Sequence, residues 1–432
     1  MNTATKKENI SSSFIESFDF AQFQFAVEQR TKAYEAFKAM GLPDAKSEEY
    51  KFAPVSKWLT KHFSAAELST QAIAANESVK DLLNPEFAEN RVVFVNGFYN
   101  KALSSVTSDS KITIQPLGEA IASNPSLPFD QLNTTDPFGL VNSTLWSDGL
   151  YINVPKNITE KKPLFIHYLH DASSNKVSAH TKLFVAVGEN ASFNIIEKTD
   201  TLGDQPVFNT INEEIIVEEN AFFNYCKIQN DAGQLTHVAN TTIHQHKSSR
   251  TDTYTFTLNG KLIRNNLNII IDGEGCDSHF YGLYLTNGDT LVDNHTTVDH
   301  KKPNSFSNQL YKGLMDGKSK GVFNGKIFVR PHAQKTNAFQ SNRNLLLSED
   351  TTVNTKPQLE IWADDVKCSH GCTTGQLDKE ALFYLQSRGI PKATAKAMLL
   401  YAFAGEVLDV IKDEQLKNYI DSIVSERLHK VY

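Results

Sequence analysis

The chain has 432 residues, of which 43 are Lys or Arg and 50 are Asp or Glu, for a formal charge of −7 at pH 7. That length accommodates two or three domains and a large core, and an acidic balance without a long basic run argues against nucleic acid as a partner. No apolar run reaches the ~18 residues of a membrane span, and MNTATKKENISSSF has no apolar stretch before a small-residue cleavage site, so the chain is expected to work in the cytoplasm without a membrane partner. Only four cysteines occur, Cys226, Cys276, Cys368 and Cys372. So few do not make a disulfide framework; they read as buried, metal-binding or reactive thiols.

Residues 1–90 read as an N-terminal helical region. Phe14, Phe18, Phe20, Phe23, Phe25 and Val27 precede TKAYEAFKAMGL, where Tyr34, Phe37, Met40 and Leu42 recur near helical spacing before Gly41 and Pro43 punctuate the pattern. Tyr50, Phe52 and Trp58 in KSEEYKFAPVSKWL are expected to pack onto the next domain, and AAELSTQAIAANESVKDLL reads as a further helix. Residues 91–150 are a mixed linking region that opens with the run from Val92 to Val95, closed by the turn dipeptide Asn96-Gly97.

Residues 151–372 are dominated by strand-like runs such as KLFVAV, EEIIV, LNIII, GLYL, KIFV and NLLL, punctuated by Gly, Asn and Asp. VGENASFNI from Val187 and VEENAFFNY from Val217 share Val-x-Glu-Asn-Ala-x-Phe-Asn at an offset of 30 residues, 217 minus 187. A weaker echo pairs LNGKLIR (Leu258 to Arg264) with FNGKIFVR (Phe323 to Arg330). Repeats at this spacing signal a solenoid, in which each unit buries its apolar face by stacking on its neighbours. Corners rich in Asn and Gly suit a β-helix, because they tolerate left-handed backbone geometry; a sandwich is the alternative. Residues 373–432 read as a C-terminal helical domain. Asp378 is an N-cap, Leu382 and Leu385 share a face, Gly389 sits at C′, Pro391 opens a second helix, and a third spans roughly Glu414 to His429. Such a bundle is expected to cap the open edge strands of the solenoid and to present a surface to a partner.

Chemistry concentrates at the junction, PQLEIWADDVKCSHGCTTGQLDKEALFYLQSRGI (Pro357 to Ile390). In an extended segment Cys368, His370 and Cys372 project to one face. Two thiols and an imidazole suit zinc, copper(I) or iron-sulfur chemistry. They are too few for a four-cysteine cluster, so a site shared with a partner follows more naturally than a private one. Elsewhere the signals are structural. Cys276 in DGEGCDSHF, with Asp272, Glu274, Asp277 and His279, reads as a polar corner; His237, His244 and His246 read as stacked or solvent-facing; His295 and His300 lack a third partner fixed by spacing. No G-x-x-x-x-G-K-[ST] motif occurs, so the chain is not expected to bind ATP through a P-loop. Two other readings remain open. One is a stand-alone β-solenoid carbohydrate-active enzyme, for which adjacent Asp364 and Asp365 have poor geometry because neighbours on a strand face opposite ways. The other is a zinc-binding structural module on Cys368, His370 and Cys372.

The stretch from VFNGKIFVRPHAQKTNAFQSNRNLLLS to PQLEIWADDVKCSHGCTTGQLDKEALFYLQSRGI resembles the SufB/SufD family of iron-sulfur cluster assembly scaffolds, on its SufD side, with weaker likeness at KSEEYKFAPVSKW and RVVFVNG. The resemblance implies a right-handed parallel β-helix flanked by N-terminal and C-terminal helical segments, without enzymatic activity of its own. It also implies a complex with a SufB-type paralogue and two copies of a SufC-type ABC ATPase, and a homodimer is expected of the isolated chain. Cys368 and His370 would face the paralogue, with iron or a transient iron-sulfur cluster held at the interface and none bound stably by this chain alone. Cys372, replaced by Ala in some relatives, is an additional ligand that the resemblance does not require. The ATPase contact would lie on the following helix, through Asp378, Glu380, Phe383, Tyr384 and Arg388.

Overall fold

The computed structural model describes residues 25–44, 46–68, 77–106, 111–129, 135–231 and 233–431. Phe14, Phe18, Phe20 and Phe23 lie outside the described residues. From Asp148 onward, successive strands alternate between two facing sheets, one of ten strands and one of nine. The chain thus winds a parallel β-solenoid of about eight turns. Its interior is built from inward ladders, one residue per coil. Val185, Ile215, Ile243, Ile269, Val298 and Ile327 stack in register and are fully or almost fully buried. β-Branched side chains fit this packed, pleated surface, which is why the runs read as strands.

The repeat offset of 30 residues is one coil. Asn190 and Asn220 occupy the same corner of consecutive coils with φ of 55° and 56°, and each donates its backbone N–H to the coil above: Asn190 to Glu219 O and Asn220 to Lys247 O, both at 3.0 Å. Asn tolerates this left-handed geometry, so the sequence marks the corner. The weaker echo does not map onto equivalent places. Gly260 lies in a turn between strands, whereas Gly325 lies inside Lys320–Val329, where the Gln340 side chain of the opposite sheet fills the space a Cβ would need.

The solenoid recruits strands from before residue 151. Arg91–Val95 pairs in parallel with Leu164–Asp171, and Asp148–Val154 with Val177–Val187. Asn96 and Gly97, at φ 51° and 87°, turn the chain back so that Phe94 faces Tyr99 and Val95 faces Phe98, the two-residue hairpin that the dipeptide predicts.

Each sheet has one outer face covered by helices. Over the nine-stranded sheet lie Val27–Met40 and the wholly buried helix Pro137–Leu145, whose N-terminus is capped by Asp136. Their apolar cluster joins Phe37, Tyr50, Leu59, Phe138 and Val141 to Phe208, Val238 and Leu262 of the sheet. Buried Arg30 pins the first helix by donating to the carbonyls of Thr144 and Trp146 at 3.0 and 2.8 Å. The segment AAELSTQAIAANESVKDLL departs from the expected single helix: its described parts are the single turn Ala65–Leu68 and a 3₁₀ run, Glu77–Leu82.

Of the three C-terminal helices, Lys379–Ser387, Lys392–Leu408 and Glu414–Val431, the second and third lie over the ten-stranded sheet, and the first, with no buried residue, packs against the second. Asp378 caps the first, accepting from the Glu380 and Ala381 N–H groups at 2.8 and 3.1 Å, and Gly389 ends it at φ 86°. The expectation that this bundle caps the solenoid's edge strands is corrected by its packing. Leu400, Ala404, Val407, Ile420 and Val424 lie instead on the outward Phe256, Leu283, Leu285, Leu310 and Leu314 of the sheet face. That face is apolar, and burying it is worth roughly 25 cal/mol per Å2. The last strands, Thr352–Ile361 and Lys367–Gly375, are mostly polar and stay at the edges of their sheets.

Candidate functional site

The inward ladders of the ten-stranded sheet change character along the solenoid. One runs Ile166, Glu197, Lys227, Thr255, Gly282, Tyr311, Asn342 and Cys372. The adjacent ladder passes through Tyr225, Thr253, Phe280, Gln309 and Gln340 to His370, and the next through Ser278, Ser307 and Ala338 to Cys368. The alternation rule therefore holds: Cys368, His370 and Cys372 share a face, and it is the lumen face. Their partners Ala338, Gln340 and Asn342 are buried. With no further coil above, Cys368 is half-buried, while His370 and Cys372 are exposed.

Within the solenoid the same ladders carry paired polar groups. Lys227 Nζ lies 3.1 Å from Glu213 Oε2 and 3.8 Å from Glu197 Oε2, and the Tyr168 hydroxyl donates to Glu197 at 3.2 Å. Burial, with the nearby Glu213 carboxylate, pushes the Glu197 carboxyl well up. At the open end the groups are metal-ligand types. Burial pushes the Cys368 thiol up, against a smaller opposing effect of the Ala338 backbone. A thiol held protonated in this way becomes a thiolate when a metal takes its proton's place. Cys372 Sγ lies 2.8 Å from Thr355 Oγ1 on the opposite sheet and 3.9 Å from Asn342 Oδ1. Among the described residues, no three His, Cys, Asp or Glu side chains are grouped to hold a metal ion. Cys368, His370 and Cys372 thus share a face without forming the closed set that a zinc module needs.

A second feature escaped the sequence reading. The segment Glu48–Tyr50 straps across the outer face of the nine-stranded sheet. Glu49 meets His295 Nδ1 at 3.1 Å and Lys326 Nζ at 2.5 Å, and Glu48 pairs with Lys356 on the last coil. Behind it, Arg264 holds Asp293 at 2.5 Å, stands 3.9 Å over the Tyr50 ring and donates to Glu49 O at 2.6 Å. The hydrogen bond from His295, helped by Lys326, holds the Glu49 carboxyl at about 2 despite partial burial. Burial opposes charge on His295, but Asp293 and Glu49 outweigh it and push its pKa up. The strap's own partners, Arg264, His295, Lys326 and Lys356, are more than 200 residues away in the chain, so no local pattern announces them. A cavity of about 1510 Å3 lies between this strap and the sheet, lined in part by Glu49, His244, Arg264, Asn268 and Asp299. None of its lining residues lies on the last strands, Thr352–Ile361 and Lys367–Gly375.

On the helical domain, Lys379–Ser387 has no buried residue. Phe383 is 72% exposed and Tyr384 57%, and Met398 and Tyr401 of the following helix are exposed as well. Arg388 donates to the Tyr384 hydroxyl at 3.2 Å and lies over its ring. Asp378 and Glu380 flank the exposed N-terminus of that helix.

The remaining candidates are structural. Cys226 points outward under the C-terminal helices, fully buried, and burial pushes its thiol well up. Cys276 is buried in its corner, donating to His246 O at 3.1 Å. His300 is buried against Ser307, and His244 is partly buried on the outer face. Asp364 and Asp365 are exposed in the turn before the last strand.

The sequence matches two family models: the SUF system FeS cluster assembly, SufBD core domain over residues 168–403, and the SufBD protein N-terminal region over residues 13–166. It is 35% identical over 413 residues to an iron-sulfur cluster assembly SufBD family protein of Synechocystis, covering 92% of this chain and 90% of the relative. It is 32% identical to the iron-sulfur cluster assembly protein SufD of Escherichia coli over 90% of both chains, and 26% identical to SufD of Bacillus subtilis over 67% and 66%.

Proposed function

This chain belongs to the SufB/SufD family and is a scaffold-type subunit of iron-sulfur cluster assembly, and we propose that its open solenoid end supplies Cys368 and His370 to a nascent cluster completed by a SufB-type paralogue. The observation that carries this is that three inward ladders end at Cys368, His370 and Cys372 on Lys367–Gly375, the edge strand of the ten-stranded sheet. Iron and sulfide are cargo in this scheme. The chain offers a thiol, an imidazole and, through Cys372, a second thiol; the partner provides the rest of the coordination, which is why no closed ligand set is needed here.

Two further contacts fit the same scheme. The edge strands Thr352–Ile361 and Lys367–Gly375 present rows of unpaired backbone groups, ten and nine residues long, that a second solenoid of like pitch can extend. In isolation, a second copy of this chain would use the same edges. Phe383, Tyr384 and Arg388, with Asp378 and Glu380 at the helix start, form the contact for a SufC-type ABC ATPase, the component that hydrolyses ATP.

The test is cluster formation by the purified complex under anaerobic conditions. Replacing both Cys368→Ala and His370→Ala should abolish the cluster absorption while all subunits still co-purify. Full cluster yield in the double variant overturns the assignment.

A further inference from the structure

The two strands of the last coil each have one side covered by a strand of their own chain and one side open. Backbone N–H and C=O groups alternate between those sides along a strand. On Thr352–Ile361 the Thr352 N–H donates to Ser319 O at 3.2 Å, and just past the strand the Trp362 N–H donates to Val329 O at 2.9 Å. Both bonds reach the covered side, so Val353, Thr355, Pro357, Leu359 and Ile361 face the open one. Proline has no N–H, and a ring carbon stands where the hydrogen would be. Pro357 pairs in register with Gly325 without a bulge, because its missing donor faces no strand of its own chain. On the other edge the Lys367 N–H donates to Thr336 O at 2.9 Å, which turns Cys368, His370, Cys372 and Thr374 to the open side, each with its donor. One open row is unbroken, and the other has a gap near its centre.

Resting on the reading of these edges as the place where a second solenoid docks, we propose that Pro357 is a specificity-determining residue of that interface, favouring a paralogous solenoid without such a proline over a second copy of this chain. On any strand that docks there, the carbonyl opposite Pro357 finds no donor, and an unmet carbonyl inside an interface costs binding. Two copies of one chain dock about a twofold axis, so every patch occurs twice in their interface. The gap is then met twice, whether like edges pair or the two unlike ones. A different solenoid with unbroken edge strands meets it once. Discrimination between partners is a difference of affinities, and a defect that counts double against one of them supplies it. Proline on an open strand is one of the means by which chains avoid pairing with their own copies.

The experiment measures two dissociation constants of the full chain: self-association by sedimentation equilibrium, and binding to the purified SufB-type subunit by titration calorimetry. Pro357→Val restores the donor on a residue suited to strands. It should tighten binding to the SufB-type subunit about tenfold, for one hydrogen bond, and self-association about a hundredfold, for two. Ile361→Pro removes another open-side donor at an exposed position and should weaken the two by about the same factors. Self-association that is unchanged in Pro357→Val, or tightened no more than binding to the SufB-type subunit, overturns the proposal. Ile361→Pro tests the doubling without touching Pro357, and equal weakening of both constants there overturns it as well. Failure of the underlying docking reading looks different: Ile361→Pro then leaves both constants where they were.

Discussion

At its first end the solenoid finishes in two short antiparallel strands, Phe98–Tyr99 and Thr113–Pro116. At its last end it finishes in Thr352–Ile361 and Lys367–Gly375, parallel, long and unpaired on their outer sides. The first end is filled with apolar side chains: Val92, Phe94, Leu150 and Ile152 are buried, with Tyr99 and Ile114 packed against them. The last end carries thiols and an imidazole at inward positions: the ladder that starts at Val92 and Ile166 ends at Cys372. Short, reversed strands leave little edge to template a partner, whereas long parallel ones invite it. An inward position thus does structural work where a coil covers it and becomes available for chemistry where none does.

Truncating the covered end should cost the most. Phe94 is 1% exposed and stacks on Tyr168 at 5.4 Å. Phe94→Ala should lower stability by about 3–5 kcal/mol in denaturant unfolding, leaving the alkylation rates of Cys368 and Cys372 as they were. Altered thiol rates would mean that the two ends are mechanically coupled. Next in size is the helical flank. Leu400 is fully buried in the cluster between the C-terminal helices and the ten-stranded sheet. Leu400→Ala should cost about 2–5 kcal/mol and loosen the helices before the solenoid, seen as hydrogen exchange in Lys392–Leu408 rising ahead of exchange in the strands.

The smallest effect concerns the strap that reaches the last coil. The His295 pKa is raised, so its contribution to stability is fully present below its unfolded value near 6.5 and is lost as the pH rises through the folded value. Glu49 is held at about 2 against an ordinary 4.5, so its contribution is present above 4.5 and is lost as the pH falls towards 2. The stability difference between the parent and Glu49→Gln should therefore peak between about pH 4.5 and 6.5 and shrink on either side. Solvent screening of the half-exposed Glu49 limits it to about 1 kcal/mol. A difference independent of pH would remove the His295–Glu49 pair from the strap.

Much of the closed architecture was legible because local rules govern it. Asn96-Gly97 named its hairpin, Asn190 and Asn220 marked successive corners, and Asp378 and Gly389 bounded a helix, each through backbone preferences of a few adjacent residues. The shared face of Cys368, His370 and Cys372 followed from strand alternation alone. What lay out of reach depends on residues brought together from afar. The helical bundle's place on the sheet face depends on apolar residues such as Leu283 and Leu310 that alternate with inward ones, and the sequence alone did not tell which face the helices would take. Thr355 lies 17 residues from Cys372, on the other sheet, and Glu49 lies 246 residues from His295. The weak LNGKLIR echo misled because identity of letters did not amount to identity of register.

The contrast between covered and open ladders is tested most directly by site-resolved alkylation of all four cysteines in the assembled complex, before and after loading with iron and sulfide. Cys226 and Cys276, buried in both states, should stay unreactive, while Cys368 should react before loading and be protected after it. Equal reactivity of Cys368 in the empty and loaded complex would contradict the assignment of the open end as the place where the cluster is built.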